Sequence, residues 1–100
     1  MLELARLTID DFAPRLRQTF RVALDAAALD LELLRATPLG AQPPAPDRRR
    51  PFSLIFRGPS APLLPQRIYR LENASLGALE IFLVPIGPDA AGLCYEAIFS

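Results

Sequence analysis

The sequence predicts a mainly all-β domain: a six-stranded antiparallel meander forming a small barrel or a compact sandwich, with a short N-terminal helix. Three observations carry this expectation. From Gln18 onward apolar residues recur at period two through most segments, which sets one side of each segment against a core. Clusters of Gly, Pro, Asn and Asp separate most of these segments. The chain has 100 residues, 51% of them hydrophobic, which suits one core and is too short for two domains. Residues 1–100 are therefore read as one β domain.

Thr8-Ile9-Asp10-Asp11 predicts a helix start. Thr8 is a capping residue, and Asp11 three positions on is placed to return a bond in a weak capping box. Asp10 and Asp11 also lie where a helix dipole favours negative charge. Phe12, Ala13 and Leu16 supply an apolar face, and Pro14 limits the helix to one or two turns. In Gln18–Asp25, Phe20, Val22 and Leu24 alternate with Arg21, Ala23 and Asp25 as a first strand. Leu29, Leu31 and Leu33 alternate with Asp30, Glu32 and Leu34 as a second. The Ala-rich connection between them is a weak hairpin signal, and the Ala and Leu content of residues 23–35 leaves a helix as the alternative there.

Pro38, Gly40, Pro43, Pro44 and Pro46, followed by Arg48-Arg49-Arg50, predict a long exposed loop over Thr37–Pro51. Phe52–Arg57 reads as a third strand with Phe52, Leu54 and Phe56 inward. A Gly58–Pro65 loop leads to a fourth strand, Arg67–Glu72, with Tyr69 and Leu71 inward. Asn73-Ala74-Ser75-Leu76-Gly77 is the strongest turn signal in the chain, with Gly77 free to take positive φ. A fifth strand, Leu79–Val84, carries Leu79, Ile81 and Leu83 on one face and Glu80, Phe82 and Val84 on the other. Gly87–Gly92 reads as a loop, and Leu93–Phe99 as the sixth strand, with Tyr95, Ala97 and Phe99 inward.

The segments Phe52-Ser53-Leu54-Ile55-Phe56-Arg57-Gly58-Pro59 and Leu64-Pro65-Gln66-Arg67-Ile68-Tyr69-Arg70-Leu71-Glu72 carry a family resemblance. It continues through Leu76-Gly77-Ala78-Leu79-Glu80-Ile81-Phe82-Leu83-Val84-Pro85-Ile86-Gly87 to Tyr95-Glu96-Ala97-Ile98-Phe99. The chain resembles a family of small bacterial domains of unknown function, of about this length, often encoded near phage-tail-collar-like proteins. That resemblance implies an accessory to, or component of, a tail-like assembly. It carries over no catalytic residue.

Composition excludes several chemistries. There is no His and no Lys, and all 11 basic residues are Arg. Histidine-dependent nucleophile triads and histidine-ligated zinc are thereby removed, as is lysine Schiff-base chemistry. Cys94 stands alone, so it forms no internal disulfide and no cysteine metal cluster, which fits a reducing compartment. No phosphate-binding glycine loop is present. The 11 acidic residues balance the arginines to zero net charge, which argues against nucleic acid as a partner. Residues 1–6 lack a signal-peptide core, and no apolar run approaches the ~20 residues of a membrane helix. The expectations are a cytoplasmic protein that is not an enzyme, holds no cofactor or metal, and contacts no membrane.

What remains is surface. If Leu79, Ile81 and Leu83 face the core, Phe82 and Val84 face outward, and Ile55 and Ile98 are placed to join them. Such a patch marks a protein interface, with a second copy or a tail-like component as partner. The competing account is that the N-terminal helix covers it. The alternative function is a small-molecule-binding barrel using Tyr69, Arg70 and Tyr95 as polar contacts. Glu72, Glu80 and Glu96 with Arg70 read as a solvated face of cross-strand pairs. Cys94 reads as a small buried apolar residue. Asn73-Ala74-Ser75 is a glycosylation sequon in form only.

Overall fold

The computed structural model describes residues 6–25, 27–40 and 50–99. Asp47, Arg48 and Arg49, and the prolines Pro43, Pro44 and Pro46, lie outside the described residues. The ordered elements are a helix α1 (Ile9–Phe12) continued by a 3-10 turn (Ala13–Arg15), then six strands. These are β1 (Thr19–Ala23), β2 (Ala28–Pro38), β3 (Phe52–Gly58), β4 (Arg67–Asn73), β5 (Gly77–Asp89) and β6 (Gly92–Phe99). All pairings are antiparallel, and the sheet closes into a barrel in the order β1-β2-β3-β6-β5-β4.

A barrel with a short N-terminal helix is as the alternation predicts. The connectivity is not one continuous meander, however. β1-β2-β3 and β4-β5-β6 each run as three-stranded meanders, and the segment after Gly58 crosses the barrel so that β3 pairs with β6 and β4 returns to β1. Among the described residues of this stretch, Ala23 belongs to β1 and the residues from Ala28 onward to β2, strand rather than helix, with Ala23 and Ala28 paired across the connection. The capping box forms through the backbone N–H of Thr8, which donates to Asp11 Oδ2 at 2.8 Å.

β2 and β5 run longer than the periodicity suggests, because each contains a bulge. The register shifts at Leu34 in β2 and at Ile86 in β5. A bulge absorbs one extra residue and lets the strand resume, which is how β5 passes Pro85 and Pro88 and reaches Asp89. The Gly87–Gly92 loop therefore shrinks to a tight turn, with Asp89 and Gly92 paired.

The barrel interior is packed with aromatic and aliphatic side chains. Phe12 from α1 is fully buried at one end, with ring centroids 6.4 Å from Phe20, 5.8 Å from Phe52 and 5.5 Å from Phe99. Phe52 and Phe99, which face each other across β3 and β6, stack at 4.7 Å. Phe20 meets Phe56 edge-on at 5.3 Å, a favoured aromatic geometry. Leu31, Leu33, Leu54, Leu71, Leu79, Ile81, Leu83 and Tyr95 fill the rest.

The ring closes at the β1–β4 seam, which has only the pairs Arg21↔Glu72 and Val22↔Leu71. Asn73 extends this seam. Its Nδ2 donates to the Thr19 carbonyl at 3.0 Å and to Gln18 Oε1 at 3.2 Å, while its Oδ1 accepts from the Ser75 and Leu76 N–H groups at 2.9 and 3.0 Å. One buried side chain thus shapes the β4–β5 turn and ties it to β1, with Gly77 at φ +78° completing that turn. Asn73→Ala strands the partners of all four bonds. We expect a loss of about 1–3 kcal/mol, read as a lower midpoint of urea denaturation with the slope unchanged.

Candidate interaction surface

The closed barrel divides the site residues anticipated from sequence into an inner and an outer set. Tyr69 and Tyr95 point inward and are buried. The Tyr95 hydroxyl accepts the Leu64 N–H at 3.1 Å, and the Tyr69 hydroxyl donates to the Pro65 carbonyl. Both tyrosines thus anchor the segment between β3 and β4, whose Leu64 is buried in the core. Arg67 adds to this anchorage with its guanidinium 5.0 Å from the Tyr69 ring centre. Arg70 lies on the opposite face of β4, exposed, its nearest acid being Glu72 at 3.4 Å. The structure therefore does not bring Tyr69, Arg70 and Tyr95 together: two are inside the wall and one outside it, because Arg70 follows Tyr69 directly in a strand.

The outer set is apolar along one line. Ile68 and Phe82 are direct cross-strand partners on β4 and β5, and both are exposed, at 64% and 48%. Ile98 on β6 is 61% exposed, and continuing the β5–β6 register beyond Val84↔Glu96 sets it level with Phe82. The row Ile68–Phe82–Ile98 thus runs across three strands. Val84, one step along β5, is half-buried. Ile55 departs from expectation. It has outward parity on β3 but is only 8% exposed, because Arg35 and Glu96 are its ladder partners on either side and their long stems share its face. Ile55 therefore does not extend the exposed row. Beside it, Ser53 Oγ donates to Glu96 Oε2 at 2.8 Å.

The N-terminal helix does not cover this row. Its one buried side chain, Phe12, is committed to Phe20, Phe52 and Phe99 inside the barrel. Ile68 was missed in the sequence although its signal was present: with Tyr69 and Leu71 inward, alternation turns Ile68 outward.

The main polar cluster lies on the outer face around Arg57. Its guanidinium bonds Asp89 Oδ2 at 2.9 Å and Glu32 Oε1 at 3.3 Å, joining β2, β3 and β5. Asp89 Oδ1 accepts the N–H groups of Ala91 and Gly92 at 2.8 and 3.0 Å, fixing the β5–β6 turn. Those bonds, the Ala91 N–H first and the Arg57 pair next, hold the Asp89 carboxyl down at about 2. Cys94 Sγ lies 3.5 Å from Asp89 Oδ2. Burial, and then the Asp89 carboxylate, push its thiol up, away from the nucleophilic thiolate. The cluster is a structural clasp on the outer wall. At the same end, Gly92 needs to be glycine: a Cβ there would stand 2.0 Å from the Gly58 carbonyl oxygen.

Fold and surface together define a class: a closed six-stranded antiparallel barrel with a side-chain-filled interior and an apolar row on its outer wall. Residues 7–99 match the family described as Domain of unknown function (DUF6916), and the chain belongs to it. Neither a curated protein nor a solved structure matches the chain.

Two outcomes follow from the clasp. Asp89 has its carboxyl lowered in the folded state from 3.8 to about 2, so its stabilisation is complete above 3.8 and is lost as pH falls toward 2. Asp89→Asn should unfold more readily than the native chain at pH 6, and the gap should narrow on titration to pH 2 in urea-melt midpoints. Cys94 should alkylate with iodoacetamide more slowly than free cysteine at pH 8, with the rates converging in urea.

Proposed function

We propose that this domain is a non-catalytic protein-interaction module that meets its partner through the outer row Ile68–Phe82–Ile98. The observation that carries this reading is the exposure of three large apolar side chains in one line across adjacent strands, on a barrel whose interior is otherwise well filled. Isolated exposed apolar residues are common on protein surfaces, whereas a contiguous row is characteristic of contact sites. Zero net charge leaves no long-range repulsion against a second copy or a neutral partner. The resemblance to domains encoded near tail-collar-like proteins makes a component of a tail-like assembly the first heterologous partner to examine, in a bacterial cytoplasm. The Tyr69 and Tyr95 hydroxyls, already bonded to the β3–β4 segment, lend the ligand-binding alternative no support.

The test is a paired substitution, Phe82→Asp with Ile98→Glu. Exposed positions tolerate such changes within about 0.5 kcal/mol, so the thermal midpoint should hold while association is lost. Association is read by light scattering across concentration for self-contact, and by co-purification with neighbouring tail-type gene products otherwise. Unfolding of the variant would place these residues in the core. Equal behaviour of native and variant chains in both assays would remove the row as an interface.

A further inference from the structure

Phe82 stands at the centre of a pattern of apolar and charged side chains on the outer wall. Ile68 on β4 and Ile98 on β6 flank it in its own row. Two residues along β4 from Ile68, Arg70 lies level with its partner Glu80. Two residues along β6 from Ile98, Glu96 lies level with its partner Val84. All of these share the outer face, since alternate residues of a strand point the same way. Glu80 and Val84 fall on opposite sides of Phe82 along β5, so Arg70 and Glu96 occupy opposite corners of the patch, one cationic and one anionic. The Arg70 guanidinium is exposed, and its neighbour Glu72 at 3.4 Å is an exposed partner of the kind that contributes little. The Glu96 carboxylate is half-buried and is held against the wall by the Ser53 hydroxyl, which donates to Oε2 at 2.8 Å.

We infer that the partner of the Ile68–Phe82–Ile98 row is a second copy of this chain, docked face to face about a two-fold axis at Phe82, with Arg70 of each copy on Glu96 of the other. This docking rests on the interaction reading above and names its partner. A two-fold contact requires a patch complementary to itself, and the direction of the axis decides whether this one is. An axis along β5 sets Glu80 on Glu80 of the second copy. An axis along the Ile68–Phe82–Ile98 row sets the charged Glu80 on Val84. An axis across the Arg70–Glu96 diagonal joins the two opposite corners twice. It also seats Phe82 on Phe82 and lays Ile68 of each copy over the Phe82–Val84 stretch of the other. The result is an apolar centre with an ion pair at either end, the usual division of a protein contact. The paired charges select this orientation over the other two.

The experiment uses the full chain and two variants, Arg70→Glu and Glu96→Arg, each run alone and as an equimolar mixture in sedimentation velocity. The native chain should dimerise. Each variant alone faces like with like at both corners and should dissociate at least about tenfold more readily. In the mixture both corners of the heterodimer again join opposite charges, so the dimer should return. Misfolding of either variant could not produce that reciprocal rescue. If Glu96→Arg loses its fold along with the Ser53 bond, as read by circular dichroism, Glu96→Gln takes its place. Glu96→Gln keeps an acceptor for Ser53 Oγ, removes the charge, and should weaken dimerisation at least about threefold. The docking is overturned if the native chain stays monomeric up to about 1 mM. It is equally overturned if the variants dimerise as the native chain does, or if mixing folded variants restores nothing. With a monomeric native chain, loss of a co-purifying partner in Phe82→Asp would leave the interaction reading standing with a different protein on the row. A native dimer that persists unchanged in Phe82→Asp would remove both.

Discussion

Everything in this fold depends on closing the ring between β1 and β4. Five of the six seams are zipped by ladders of five or more pairs, but this one has two. Left open, β1 and β4 would each present an unpaired edge and the core would lie open along one side. Asn73 makes the short seam sufficient. It uses both ends of its amide, one to shape the turn into β5 and the other to reach the β1 backbone. An apolar residue there would leave the Thr19 carbonyl and the Ser75 and Leu76 N–H groups without the partner that Asn73 supplies. Its place in a sequon is thus incidental to the folded state, where the amide nitrogen is already committed to two acceptors.

Inside the ring, each plug comes from outside the sheet. Phe12 arrives on a helix of four residues, far too short to stand alone. What keeps it in place is the aromatic cluster it enters, together with the Thr8–Asp11 box at its start. The connection from β3 to β4 is held the same way, by Leu64 buried and by two tyrosine hydroxyls spent on its backbone. The polar groups that point inward therefore serve the wall and its covers. The large exposed apolar side chains of β4, β5 and β6, Ile68, Phe82 and Ile98, lie on the outside of the wall.

The number and direction of strands were legible because period-two alternation survives wherever one face is buried. Phe20/Val22, Leu79/Ile81/Leu83 and Tyr95/Ala97/Phe99 all point where alternation puts them. The two bulges were not legible, since Leu34 and Ile86 are ordinary apolar residues and the prolines near Ile86 argue for a chain break. Nor was the pairing of β3 with β6, because alternation says which face is buried and nothing about which strand lies alongside. The outer row was half legible. Phe82 and Ile98 followed from parity, Val84 sits half-buried beside them, and Ile68 went unread beside the more conspicuous Tyr69. The burial of Ile55 depends on Arg35 and Glu96 coming alongside it, a contact made only once the non-adjacent strands pair.

The crossing between β3 and β4 has a consequence for how the chain reaches this state. It divides the barrel into two three-stranded halves, β1-β2-β3 and β4-β5-β6, each built from local hairpins. Neither half can shelter its own flanks, for the strands that cover them belong to the other half: β6 for β3, β1 for β4. Each hairpin forms early and cheaply, but the joining contacts, such as Ser53 with Glu96 and Asn73 with Gln18, span 43 and 55 residues. Contacts of such separation make the joining of the two halves entropically costlier than the closing of any one turn. Until that joining occurs, the nascent chain carries four unguarded strand edges, the state in which a protein of zero net charge is most prone to pair with its neighbours.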